Sequence, residues 1–505
     1  MVYCGKPSKG CENCRAKRLK CDQKRPSCSQ CSNKRRECRG YRDTIDLAFR
    51  NESQKVVTKY CKGFAASESS EDRHKLQNLG YPWLQYADTL KPTQIRPSIN
   101  EPMEDVAVTF LLKDYIQGSH FEYLPALYTV GDVEGVLSTA LKAVGLASLS
   151  LYASRPELRT QALMFYSKAI TKVNNSLKSQ NATQRDDVLA SIMLLSLYEA
   201  LTLRKTSDTK AWSSHIHGAW SLVALRGPQQ FQTKVGLELF KHIATGVRLF
   251  CIQNCIRIPI QLRELVESAA LYSQTPDPIF SQPSATEAFT DLRTDIAEGL
   301  LSEPDDIIAR CEVVLRLVED FFVINLSCQQ YDRVAVGPPE IASAQKFCIN
   351  FRNHQVAYAW NAAWMAKLAL NSMIYKQELQ VLKKAMSPEE MVSNASRTIR
   401  AVKAQEEIAK AAENVCATVP QSFQLNVPPK RSEKPLAAVF MGYSLIWPLF
   451  TVGANPLVTA STKDYIINTL IYIAREFKLP QAHWAEELLR EGASDEAWMH
   501  MYHAF

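Results

Sequence analysis

Six cysteines near the start of the chain stand at spacings that suit metal chemistry: Cys11, Cys14, Cys21, Cys28, Cys31 and Cys38. They make two copies of one unit, C-x2-C-x6-C, joined by six residues. Thiolate is a strong zinc ligand, and structural zinc sites are tetrahedral and closed. A C-x2-C step lets two sulfurs from one tight turn reach one ion, and the third cysteine returns to it across a short helix. Two separate tetrahedra would need more sulfurs than the six present. Two Zn2+ can still be served if two sulfurs bridge, and the repeat offers one bridge from each half. The thiolates around two Zn2+ would leave a net negative charge. Residues 1–42 offset it with 13 Lys/Arg against 3 acids. Cys4 lies outside the repeat and is not expected to be a ligand.

Three other readings of the cysteines explain less. A disulfide framework needs an oxidising compartment, and the opening MVYCGKPSKG has no apolar signal-peptide core. A metal-buffering module would use cysteines without so basic a setting. A single four-cysteine site would leave two cysteines over. So short a module has almost no apolar core and needs a metal staple to fold.

The basic charge points to the partner. The whole chain is +7, whereas residues 1–42 alone are +10 and the remainder is −3. Such a concentrated block is the footprint of a reader of double-stranded DNA. Between the second and third cysteines runs Arg15-Ala-Lys-Arg-Leu-Lys20. A helix over residues 14–21 would fan these side chains around its axis. Leu19 is expected to pack inward. Lys17 and Arg18 are then free to enter a major groove, where guanine offers paired acceptors to either type. Arg15, Lys20 and Lys24 are expected on phosphates, which position a module without reading sequence. Arg35, Arg36, Arg39 and Arg42 would add backbone or minor-groove contacts, or serve nuclear import.

Every cysteine spacing and the basic segment resemble the fungal Zn2Cys6 binuclear-cluster transcription factors. The resemblance implies that Cys11 and Cys28 bridge, with Cys14 and Cys21 completing one site and Cys31 and Cys38 the other. It places Pro26 at the turn between the two units. It further implies CGG-type half-sites, a nuclear location and control of RNA polymerase II genes in a biosynthetic or metabolic set. One small module reads little sequence. Strong sites therefore need a homodimer or flanking contacts.

The remaining chain is organised around helices. The fold expected is all-α: a zinc module over residues 1–42, a largely irregular linker over 43–100 and a large helical domain over 101–505. The linker is polar, with the run SESSED, and carries no sustained heptads for a coiled coil. Asp186–Leu203 opens with two acids, suited to a helix N-terminus, and is then apolar nearly all round, as a central core helix would be. Ile466, Ile467, Leu470, Ile473, Ala474 and Phe477 share one helical face. Residues 212–225 read as a helix ended by Gly227. The uncharged stretch 435–462 is interrupted by Gly442, Pro448, Gly453 and Pro456. It reads as a buried helix ending near Pro448, then a loop, and no membrane is expected. The scattered cysteines read as buried thiols.

The segments Tyr123-Leu-Pro-Ala-Leu-Tyr128, Ala143-Val-Gly-Leu-Ala-Ser-Leu149, Trp212-x2-His215-x2-Gly218-Ala219 and Leu225-Arg-Gly227 resemble the fungal-specific regulatory domain of the same family. That implies a regulatory function, with a small apolar ligand as in sterol-responsive regulators. His215 itself reads as a core histidine, and its spacing from His217 excludes a metal pair on one helical face. No nucleophile elbow, P-loop, dinucleotide fingerprint or HExxH occurs, so the chain is not read as an enzyme. The alternative is an enzyme or metabolite-binding helical protein whose zinc module contacts protein. The five basic residues among Arg15–Lys20 and its neighbour Lys24 argue against it, because a protein-contact module does not need them beside zinc.

Overall fold

A computed structural model of the chain describes residues 11–38, without positions 18, 23, 25, 26, 35 and 37. It also describes 102–493, without 117–118, 129–133, 180, 203–209, 274–282, 327–330, 336–346, 352–353, 384–393 and 424–437. The expected linker and Cys4 lie outside the described residues. The chain divides into two units, Met1–Phe64 and Ala65–Phe505.

The first unit holds two short helices, α1 (Glu12–Ala16) and α2 (Ser29–Asn33). The second begins with α3 (Met103–Asp114), α4 (Leu124–Leu127), α5 (Val136–Tyr152), α6 (Glu157–Ser176), α7 (Asp186–Thr202), α8 (Lys210–Arg226), α9 (Lys234–Asn254) and α10 (Ile260–Ala270). It continues with α11 (Pro283–Ala297), α12 (Pro304–Leu326), strands β1 (Tyr331–Ala335) and β2 (Phe347–Phe351), and α13 (His354–Leu382). It ends with α14 (Ala395–Ala417), α15 (Val419–Ser422), α16 (Ala438–Ala454), α17 (Ala460–Glu476) and α18 (Pro480–Arg490).

Helices α5 and α7 form the centre of the first half of this unit. All of α5 from Val136 to Ser150 is buried, and α7 buries Val188 to Tyr198 without a break. A helix apolar all round can lie only inside a protein, so the sequence reading of α7 holds. Helix α5 is packed by α3, α6 and α7. The backbone of α3 comes so close that a Cβ at Gly145 would sit 2.6 Å from the carbonyl oxygen of Ala107. Gly145→Leu should therefore cost about 1–3 kcal/mol of stability, the usual penalty for overpacking. It would be read as a lower unfolding midpoint of the helical unit at unchanged zinc content.

Arg226 explains a second of the singled-out segments. Its side chain is only 4% exposed, and Nη1 donates to Asp186 at 2.7 Å. Nη2 donates to the carbonyl of Arg185 at 2.6 Å. The guanidinium thus locks the end of α8 to the start of α7. Gly227 follows with φ +62° and stops α8, as its position predicted.

A further core lies among α11, α12 and α13, around Leu292, Cys311, Leu370 and Ile374. At its margin the fully buried carboxylate of Glu378 accepts from Arg397 Nη1 at 3.0 Å and Arg400 Nε at 2.6 Å. Arg397 also reaches Asp305 at 2.7 Å. A charge held out of water needs such partners, and here they join α12, α13 and α14. Helix α17 buries Ile466, Leu470 and Ile473, the face its periodicity indicated. Cys251, Cys311, Cys348 and Cys416 are buried thiols, while Cys255 is half-buried.

One expectation is corrected. Helix α16 continues past Pro448 to Ala454 instead of ending there. A proline inside a helix costs roughly 3 kcal/mol. Burial of Leu445, Leu449, Phe450 and Val452 outweighs that, at about 1.5–3 kcal/mol per large apolar side chain. The described residues of this otherwise helical region, as expected almost free of strands, include a short pair: β1 and β2 are antiparallel, with Tyr331 opposite Phe351. Gln421 satisfies the backbone of β2 by accepting from Phe351 N and donating to its carbonyl, both at 2.7 Å. Among the described residues no helix is long and apolar enough to cross a membrane.

Candidate metal and nucleic-acid site

The two halves of the cysteine repeat fold alike. In the first, Leu19 N donates to Cys14 O at 2.8 Å, closing the turn after α1. In the second, Arg36 N donates to Cys31 O at 3.0 Å after α2. Both bonds span five residues and start from the second cysteine of each unit. Sulfur also serves as a cap: Cys31 N donates to Cys28 Sγ, and Cys11 N to Cys21 Sγ, both at 3.4 Å. A short helix needs its free N–H groups satisfied, and here the ligating atoms do it.

The sulfurs converge on two overlapping groups. Cys11, Cys14, Cys21 and Cys28 form one, and Cys11, Cys28, Cys31 and Cys38 the other, with Sγ atoms in each within 4.8 Å of one another. Cys11 and Cys28 belong to both. Their sulfurs are 3.7 Å apart, Cys14 to Cys28 is 3.7 Å, and Cys11 to Cys31 is 3.8 Å. A tetrahedron with zinc–sulfur arms of about 2.3 Å has edges of about 3.8 Å. The donor set and its spacing fit two metal ions sharing two sulfurs. These cysteines are also the module's own core, with Cys11 and Cys28 wholly buried. Desolvation raises both of these thiols above their ordinary range. Without a cation nearby they would stay protonated, and a bound metal is what makes buried thiolate stable.

Two residues support this arrangement without having been singled out in the sequence. Asn13 Nδ2 lies 3.8 Å from Cys31 Sγ, an amide donor aimed at a sulfur of the other half. Asp22 accepts from Ser29 Oγ at 2.5 Å and Ser29 N at 3.0 Å, pinning the loop between the halves to the start of α2. The hydrogen bond from Ser29 holds the Asp22 carboxyl below its usual range. An Asp seven residues before a helix start is no local capping pattern.

The basic segment differs from the expected geometry. The helix covers Glu12–Ala16 only, and Lys17 is already in a turn. Leu19 is 40% exposed, so it does not pack inward. The cysteines fill the interior of so small a module and leave no apolar space for it. Lys17, Lys20 and Lys24 are exposed on the surface of the unit. The backbone of Arg15 lies in α1, whereas Arg18, Pro26, Arg35, Arg39 and Arg42 lie outside the described residues.

In the helical unit, desolvation pushes the half-buried His215 down to about 4, a neutral imidazole. Its Nε2 is 3.4 Å from the Tyr166 hydroxyl. His217 is exposed, so the two histidines do face apart.

Two family models match the chain. Residues 9–47 match the fungal Zn(2)-Cys(6) binuclear cluster domain. Residues 114–258 match the fungal specific transcription factor domain. No curated protein and no solved structure matches it.

Proposed function

We propose that the chain, whose residues 9–47 match the fungal Zn(2)-Cys(6) binuclear cluster domain and whose residues 114–258 match the fungal specific transcription factor domain, is a Zn2Cys6 transcription factor with a specific mode of action. Residues 1–42 hold two Zn2+ through Cys11, Cys14, Cys21, Cys28, Cys31 and Cys38. Lys17 and Arg18 read CGG-type half-sites in the major groove of double-stranded DNA. Arg15, Lys20 and Lys24 sit on phosphates. The protein acts in the nucleus on RNA polymerase II genes of a biosynthetic or metabolic set. Residues 43–100 are the linker, and 101–505 regulate, dimerise the protein and take a small apolar ligand. The observation that carries this reading is the pair of overlapping cysteine groups sharing Cys11 and Cys28 within a strongly basic module.

The direct test is selection of bound duplexes from random DNA, with zinc, using residues 1–100 and the full chain in parallel. Enriched CGG-type triplets are expected. Paired triplets at fixed spacing from the full chain alone would assign dimerisation to the helical region. No enrichment from either, with zinc verified, would favour a protein-contact role. Salt supplies a second expectation. Three phosphate contacts per module predict a slope of log K against log salt of about −2.7. Lys24→Ala should make it shallower by about one, with the preferred sequence unchanged. A flat salt response would exclude phosphate contact.

A further inference from the structure

The helical unit contains a cavity of about 440 Å3 between α9, α11, α12, α13 and α16. Its size suits a small organic ligand. Most of the wall is apolar, including Phe289, Phe321 and Met373. Its charged lining residues are Arg293 and Lys376, and no carboxylate lines it among the described residues. Arg293 is held in place by its surroundings: the guanidinium lies 6.0 Å from the Phe289 ring centroid, and Nη2 is 3.5 Å from Cys255 Sγ. Thr451, only 5% exposed, also lines the cavity, and its hydroxyl has no hydrogen-bond partner. A buried hydroxyl left unbonded costs free energy, and native proteins keep few of them. Rotation about χ1 would present it to a bound molecule.

We propose that this cavity binds a compact apolar molecule carrying one anionic head, of which a carboxylate is the simplest. The apolar body would occupy the wall of phenylalanine, methionine and alanine side chains. The head would lie toward Arg293 and Lys376, with the Thr451 hydroxyl as a further donor. Charge selects the head: two cations and no acid favour an anion over a neutral or cationic group in a partly dry site. This deepens the regulatory reading above by giving its ligand a place and a chemical class. It lies almost wholly beyond the segment that matches the regulatory family model.

The test uses the full-length zinc-loaded protein and three probes with one alkyl chain: decanoate, decanol and decylammonium. Binding is followed by calorimetry and by the shift in unfolding midpoint, since a ligand that binds only the folded state stabilises it. Decanoate is expected to bind at least tenfold more tightly than decanol, and decylammonium most weakly. Arg293→Gln should reduce the preference for decanoate over decanol to about twofold while leaving decanol affinity unchanged. Thr451→Val should weaken decanoate and raise the midpoint of the free protein, because it removes the unbonded hydroxyl. Equal affinity for the three probes, no binding of any, or an unaltered preference in Arg293→Gln would overturn the proposal. DNA selection is a separate measurement on the same protein, so the DNA reading and the cavity can each fail alone.

Discussion

Cys28→Ser is expected to strip the N-terminal module of most of its zinc and to abolish specific DNA binding. Cys28 belongs to both sulfur groups, so its loss leaves each one sulfur short. It also removes the sulfur that caps α2. Structural zinc supplies on the order of 10–16 kcal/mol to a small domain, and this module has little core besides the cysteines themselves. Cys38→Ser is the informative control. Cys38 belongs to one group only, so Cys11, Cys14, Cys21 and Cys28 remain together. Metal analysis should find below one zinc per chain in Cys28→Ser and about one in Cys38→Ser, against two in the parent. The helical unit should keep its circular dichroism in both. Identical zinc contents in the two variants would sink the shared-sulfur arrangement.

Combining Lys17→Ala with Arg18→Ala should remove sequence preference while zinc stays at the parent value. Each side chain bonded to a guanine edge is worth about 1–3 kcal/mol of discrimination. Losing both should cost about 2–6 kcal/mol on a preferred site, a factor of roughly thirty to more than ten thousand. Binding to unrelated duplex should fall far less, because the phosphate contacts remain. Competition titrations with preferred and scrambled duplexes measure the difference. If the ratio of the two affinities is unchanged, base reading lies elsewhere, and the shortness of α1 makes that comparison decisive. Lys17 stands in the turn just after the helix instead of on its flank.

The metal module was legible in the sequence because its chemistry is local. The spacing of the cysteines is local, and four-coordinate zinc restricts how six sulfurs can be shared. The resemblance named Cys11 and Cys28 as the shared pair, and they are the two that join both sulfur groups. The central helix α7 was equally legible, since apolar residues on every side leave no exposed face. Leu19 was misread for a reason of scale. Inward packing of an apolar side chain presumes an apolar interior, and here sulfur occupies that space.

Other features depend on partners far along the chain. Pro448 carries a strong local signal to end a helix, yet its neighbours are buried deeply enough to carry α16 through it. The β1–β2 pair relies on Gln421, 70 residues beyond Phe351. The cavity is walled by five helices whose separate sequences show only apolar faces, and Arg293 gains its place there by meeting Phe289 and Cys255. What the sequence by itself determined was the paired cysteine repeat, the basic block beside it and the helical character of the rest, all set by spacing and periodicity within a few residues. The tertiary structure alone decided where Leu19 points, how α16 passes its proline and where an open volume remains. Those outcomes rest on competition among burial, hydrogen bonding and close packing across long separations, and no short window of sequence contains that balance.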